Sequence, residues 1–404
     1  MTACQAATPA PVRARWGLSA IFFVNGVVLA SWVAHIPAVK AQHGISDGRL
    51  GLVLLSMAVG SVLALPVAGW LIGRFGSRAV TSTAAVGFCV VLPLLVISPS
   101  VVLLALTLAL FGACNGTLDV SMNAQAVAVE ARYQRPILSS VHGLFSVGGV
   151  AGAAAASGAM ALGAGPVWHV AAVTIACVGL VTLAVGGLLP SAPRSEPVAP
   201  VFVKPPVTLL GLGLLAFCGL LAEGAMGDWS AVYLHDALGT TPAVAAIGFA
   251  AFSLTMAAGR FGGDPLVRRL GPARLLRISG TLAAAGLGAA LLLGRPSAAI
   301  AGFALAGLGI ANVIPILFSA AGRVAGVPAG TALAAVATTG YGGYLAGPPL
   351  IGLAAELTSL PVALGIVCVV FAVIAAGARM LPRPHPASAS RRHTGGQSSR
   401  LTTP

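Results

Sequence analysis

About a dozen apolar stretches, each long enough to cross a bilayer, follow one another along the 404 residues, separated by short polar joints. Some 20 apolar residues of helix match the hydrocarbon thickness of a membrane. Lipid offers no partner to an unpaired backbone N–H or C=O, so each such stretch must be helical. The candidate spans are 16–36, 50–72, 79–97, 101–126, 138–161, 168–189, 207–233, 243–263, 275–293, 299–320, 330–352 and 361–381. Only 8% of the chain is charged, against about a quarter of an ordinary soluble domain. A soluble fold is thereby excluded, and polar groups inside the spans become the candidates for function.

The sequence carries a net charge of +13, which alone would suit nucleic acid. The basic residues form no single stripe, however; they lie in the joints and the tail. With the N-terminus placed in the cytoplasm, the inside joints and tails hold 19 of the 22 lysines and arginines, Arg260 and Arg268 among them. The outside joints hold Lys40, Arg49 and Arg295. That asymmetry predicts a multi-pass protein of the cell (plasma or inner) membrane with both termini cytoplasmic. It accounts for the charge without nucleic acid. The six cysteines form no CxxC pair or Cys/His cluster, so neither a disulfide framework, a metal site nor a cofactor is expected. The first 15 residues lack a signal-peptide layout, and the first span is expected to be retained.

A Pro-rich joint at 190–206 divides the chain. The reading is an all-α membrane protein of twelve transmembrane helices in two pseudo-repeated six-helix bundles, 16–189 and 207–381. Residues 1–15 are then a cytoplasmic N-terminus, 190–206 a cytoplasmic linker and 382–404 a disordered cytoplasmic tail. Spaced repeats support the duplication. Gly112 to Asn115 returns as Gly309 to Asn312, and Arg74-Phe75-Gly76 as Arg269-Leu270-Gly271. Gly148 and Gly152 return as Gly343 and Gly347, and Asn25-Gly26 as Glu223-Gly224, all at offsets of 195–198. A second GRFG at Gly259–Gly262 has a different offset and is read as chance. Two similar bundles with a site between them are a transporter architecture, and a single chain holding both needs no partner copy, so a monomer is expected.

Gly69-x-Leu71-x-Gly73-Arg74-x-Gly76-x-Arg78 resembles the G-x-L-x-D-R-x-G-x-R loop signature of the major facilitator superfamily, with Gly73 in place of its usual Asp. The corresponding loop of the second half holds Asp264 and Arg268. Gly116-Thr117-Leu118-Asp119 through Asn123 resembles the fucose-permease branch. Leu118 through Gln125, followed by Arg135-Pro136 and Ser139-Ser140-x-His142-Gly143, is most similar to the YbjJ-like bacterial permeases. The resemblance implies the major facilitator fold and places the branch's coupling proton on Asp119. Val33 stands where fucose permease has an acid.

A carboxylate inside a span costs about 2.5–3.5 kcal/mol on insertion scales. Burial disfavours its charged form, so Asp119 is a candidate for reversible protonation; the competing reading pairs it with Arg74 or Arg78. Glu223, 16 residues into its span or roughly 24 Å along it, falls in the outer half. It is read as binding a proton or solute, as pairing across the two bundles, or as bonded to backbone or Asn25. Asn25, Asn115, Asn123, Gln125 and Asn312 offer donors and acceptors to a hydroxyl-rich solute; plain interhelical bonds would use the same groups. Trp32, Tyr341 and Tyr344 could stack on a ring or pack as core, and His142 could serve a proton path or pack near the inner mouth. Pro348 should kink its helix, as a moving or a static bend.

Enzyme readings find no support, since no phosphate-binding loop and no triad or metalloprotease spacing occurs. The expectation is therefore a secondary transporter working by alternating access, coupling protons through Asp119 and Glu223 to a small polar solute such as a sugar or related metabolite. The alternative is proton-antiport efflux of drugs or amphipathic metabolites.

Overall fold

The computed structural model describes residues 11–133, 137–190, 207–321, 323, 324, 327 and 329–381. The proposed linker beyond 190 and the tail from 382 lie outside the described residues. Six helices come first: α1 (Pro11–His43), α2 (Asp47–Phe75), α3 (Ser77–Ile97), α4 (Val101–Tyr133), α5 (Leu138–Ala161) and α6 (Pro166–Val185). The carboxy-terminal set holds α7 (Val207–Val232), α8 (Pro242–Phe261), a short α9 (Gly263–Leu270) and α10 (Pro272–Leu293). It continues with α11 (Pro296–Ile310), α12 (Val313–Ala321), α13 (Ala329–Leu357) and α14 (Leu360–Gly377).

Several helices overrun the predicted spans. α1 and α4 each run 33 residues, about 50 Å at helical rise. Hydropathy sees only the oily part, while the backbone ladder continues until a turn residue stops it. Eleven segments among the described residues are long and apolar enough to cross a membrane, with α11 and α12 counted as one. α13 is not among them, because Thr338, Thr339, Tyr341, Tyr344, Pro348 and Pro349 dilute its apolar character. It nevertheless runs 29 residues at the place predicted for a span. The predicted tenth span is broken at Ala311–Asn312 into α11 and α12.

The two sets repeat one packing scheme. α1 on α5, α2 on α4 and α3 on α6 correspond to α7 on α13, α8 on α11 and α10 on α14. The repeat reaches the backbone: Gly76 and Gly271 start α3 and α10 with φ of 82° and 77°, a conformation that favours glycine. The sets meet along α5–α8 and α2–α13, again a symmetry-related pair of contacts. Glycines allow the close approaches. A Cβ on Gly26 or Gly148 of the α1–α5 contact would fall on the carbonyl oxygen of Phe145 or Phe23.

At the face opposite the start of α1, here the far face, ionic contacts join the sets. Lys40 Nζ at the end of α1 lies 2.6 Å from Asp47 and 2.5 Å from Asp236. Asp236 belongs to a π-turn, Tyr233–Ala237, that follows α7. Beside it, the backbone N–H of Gly48 donates to Glu356 of α13 at 2.9 Å. His35, further back on α1, is buried, and its Nε2 lies 2.9 Å from Nδ1 of His169 on α6.

Candidate functional site

Asp119 sits on α4, and its carboxylate accepts a hydrogen bond from the hydroxyl of Tyr341 on α13 at 3.1 Å. That bond crosses from one set of helices to the other over 222 residues of sequence. One turn along α4, Asn123 Nδ2 donates to Asp119 Oδ1 at 3.1 Å and to the Asp119 carbonyl at 2.9 Å. The amide oxygen of Asn123 pairs with His142 Nε2 on α5 at 3.2 Å, which requires the ring proton on that nitrogen. Phe22 of α1 packs edge-on against the His142 ring, 5.0 Å between centroids. Among the described residues no cation bonds Asp119, and the alternative pairing with Arg74 or Arg78 does not occur.

A second group adjoins the first. Glu223 on α7 faces Arg260 in the last turn of α8, Oε1 to Nη2 3.5 Å. The other guanidinium nitrogen, Nη1, donates to Ser146 Oγ on α5 at 3.2 Å. Ser146 is one turn from His142, so α5 carries both groups on one face. Tyr341 and Tyr344 lie with ring centroids 6.4 Å apart, and the Tyr344 ring is what a Cβ on Gly224, the residue after Glu223, would strike. Side chains from α4, α5, α7, α8 and α13 thus converge on one polar region.

Arg260 is the residue that sequence reasoning assigned elsewhere. It was counted with the cytoplasmic joints, yet its side chain is only 15% exposed. Its place inside the predicted span 243–263 was the available signal. Ser146 carried none, since a serine in a Gly-rich helix is unremarkable in sequence.

The other candidates separate. Asn25 is buried on α1, and its Nδ2 approaches Met122 Sδ at 3.8 Å. The amide oxygens of Asn25 and Asn115, and the indole nitrogen of buried Trp32, find no protein partner. These three retain capacity for a polar guest.

Gln125 is a correction. It is fully buried, donates to Ser77 Oγ at 2.8 Å and to the Leu189 carbonyl at 2.9 Å, and accepts from Leu189 N–H at 3.0 Å. Its amide brackets α4 to the start of α3 and the chain after α6, with nothing left for a solute. Gln125→Ala should therefore strand buried groups and destabilise the protein by about 1–3 kcal/mol. Thermal unfolding in detergent should show the loss.

Asn312 is corrected in the same sense. Its Nδ2 donates to the Gly259 carbonyl at 3.0 Å, holding the break between α11 and α12 to the residue before Arg260. In the loop signature, Arg74 and Arg268 are exposed and Arg78 is half-buried. A Cβ on Gly69 would meet nothing, whereas Gly76 is required by its φ. The side chain of Asp264 lies outside the described residues. Pro348 is accommodated inside α13, and its carbonyl is where a Cβ on Gly51 of α2 would strike.

An apolar groove of about 520 Å³ opens elsewhere, between α2, α3 and α4, lined by Phe75, Ala113, Cys114 and Thr117 among others. Thr117 is two residues from Asp119, about 200° round the helix. The groove thus lies on the other side of α4 from the polar region and holds none of its groups.

The chain matches the Major Facilitator Superfamily over residues 17–343 and 212–403. It is 41% identical over 362 residues to an uncharacterized MFS-type transporter of Yersinia pestis, covering 90% of this chain and 94% of that one. The nucleoside transporter NupG has a similar structure, with a TM-score of 0.68 at 13% identity, over 92% of this chain and 99% of that one. The fucose:proton symporter FucP of E. coli gives 0.60 at 18% identity, over 91% and 98%. At such identities the structures speak for the fold. Together with the family match and the Yersinia relative, they make this multi-pass membrane protein a member of the Major Facilitator Superfamily.

Proposed function

We propose that the protein is a proton-coupled secondary transporter of a small polar solute, a sugar or related metabolite, working by alternating access. In this reading it acts as a monomer in the inner membrane with both termini in the cytoplasm. The observation that carries it is the hydrogen bond between Tyr341 and Asp119. An ionised carboxylate only accepts hydrogen bonds; once protonated it becomes a donor itself. A proton on Asp119 therefore changes a direct bond between α4 and α13. That gives the coupling ion a means of biasing how the two sets of helices sit. The adjoining amides and hydroxyls suit a hydroxyl-rich guest, and the fucose:proton symporter among the structural neighbours supports the same class.

The test begins with a thermal-shift screen of purified protein against sugars, sugar acids and drugs. The best solute is then used in vesicles with an imposed pH gradient. Asp119→Asn should lower gradient-driven accumulation by about tenfold or more, the weight of roughly 1.4 kcal/mol of lost coupling. Solute exchange without a gradient should persist. Undiminished uphill transport in this variant would refute the coupling role.

A further inference from the structure

We infer that Arg260 is the docking point for a carboxylate on the transported solute, and that Glu223 is its built-in competitor. The inference rests on the central transport site proposed above and adds the class of solute: a small hydroxylated monocarboxylate, such as a sugar acid.

The Arg260–Glu223 contact is loose. At 3.5 Å through a single pair of atoms, it lies outside the 2.7–2.9 Å of a strong charge-assisted bond and is not bidentate. A guanidinium presents five N–H donors in a planar fork that matches a carboxylate edge to edge. Among the described residues the hydrogen bonds of this one are to Glu223 from Nη2 and to the neutral hydroxyl of Ser146 from Nη1. The fork is therefore open to a second carboxylate able to use both nitrogens. The hydroxyls of Tyr341, 3.1 Å from Asp119, and of Tyr344, whose ring centroid is 6.4 Å from that of Tyr341, belong to the same polar region. They supply partners for hydroxyl groups on the rest of the guest.

Charge balance selects a monoanion. When the solute's carboxylate takes Arg260, Glu223 loses its counter-charge in a poorly solvated place. It regains balance by taking one proton, supplied by hydronium or a buffer acid of the solution, on its carboxylate oxygen. One carboxylate and one proton enter, nothing is released, and the net charge of the region is unchanged. A dianionic phosphate would leave a surplus negative charge near Asp119 and Glu223. An amine would find Arg260 in its way. The bond to Ser146 adds a mechanical consequence, because Ser146 lies in the amino-terminal set and Glu223 in the carboxy-terminal one. A guest on Arg260 therefore acts on a side chain that already joins the two.

The experiment uses the purified full-length protein in detergent. Thermal shift, direct binding and proton uptake are measured with D-gluconate and D-glucuronate, and with D-glucose and D-glucosamine as neutral and cationic counterparts. The acids should stabilise the wild type and draw protons from weakly buffered solution, while glucose and glucosamine should do neither. Arg260→Gln should weaken acid binding by about thirtyfold or more. Glu223→Gln, which removes the competitor, should tighten acid binding several-fold and abolish proton uptake. A purely structural Glu223 would give the opposite sign, so this variant keeps the test sharp should Arg260→Gln fold poorly. Acids that bind no better than glucose or glucosamine would overturn the inference, as would acid binding that survives Arg260→Gln or weakens in Glu223→Gln. Binding of glucose or glucosamine accompanied by proton uptake that Asp119→Asn abolishes would sink the anion assignment and leave the central site standing. Binding of any probe that is indifferent to Arg260→Gln, with proton uptake indifferent to Asp119→Asn, would sink both.

Discussion

Reversing the single charge of Lys40, as Lys40→Glu, should open the far face of the molecule. Lys40 is one of two lysines in the chain and holds two carboxylates, Asp47 of its own set and Asp236 of the other. Its side chain is 15% exposed, so these contacts are less screened than ordinary surface pairs, which are worth about 0–1 kcal/mol. The substitution replaces two attractions with two repulsions, and like charges brought together cost several kcal/mol when poorly solvated. A net swing of about 2 kcal/mol would change the ratio of far-closed to far-open molecules roughly thirtyfold. Spin labels at Val102 and Leu292 can report it. Both positions are exposed, and they lie at the far ends of α4 and α10, one in each set. The distance between them should lengthen in Lys40→Glu and return in the double variant Lys40→Glu/Asp236→Lys, which restores attraction with the signs exchanged. An unchanged distance would mean that the neighbouring bond from Gly48 to Glu356 and the packing of α2 on α13 hold the face shut alone. The charges would then be ornaments of closure rather than its cause.

The sequence made the spans legible because lipid leaves a 20-residue apolar run one option. It made Asp119 legible for the same reason, since an acid there has few inexpensive explanations. It did not make azimuth legible. Asn123 and Gln125 are chemically alike and two residues apart, yet one turns toward Asp119 and His142 while the other is locked to Ser77 and Leu189. Asn115, Asp119 and Asn123, spaced four apart, share one face of α4 and leave Gln125 off it, but that spacing does not say which face meets the site and which a neighbouring helix. In the sequence Tyr341 reads as an aromatic, whereas its hydroxyl does the bonding; its partner is 222 residues away, beyond any local pattern. Arg260 was misassigned because an arginine near a helix end reads as an interfacial cation whose head reaches water. Only the position of α5 and α7 against that end shows the guanidinium turned inward. The break in the tenth span escaped for a related reason. Asn312 looks like one more intramembrane amide until the Gly259 carbonyl is seen beside it.

Adding a three-carbon side chain at one glycine, Gly112→Val, should remove most folded protein. Helices in lipid gain nothing from hiding apolar surface from one another, so their association depends on close packing. The α2–α4 contact is built from small residues on both sides. A Cβ on Gly112 would fall on the Met57 carbonyl oxygen, one on Gly60 on the Ala109 carbonyl, and one on Gly116 against Ser61. Ser61 Oγ also donates to the Gly112 carbonyl at 2.8 Å, which fixes the register of the crossing. The atoms in the way are backbone, so no rotamer change relieves the clash. Even Gly112→Ala should lose stability: overpacking costs about 1–3 kcal/mol, against at most about 1 kcal/mol gained in helix propensity. Gly179→Ala in α6 supplies the control, since a Cβ there would meet nothing within 4 Å and only the propensity gain applies. Thermal unfolding of detergent-purified protein should thus move down for Gly112→Ala and stay level or rise for Gly179→Ala, while Gly112→Val should yield little monodisperse material. Equal behaviour of the two alanine variants would show that α2 and α4 can separate without loss, and that the halves move by flexing inside a bundle rather than as rigid sets.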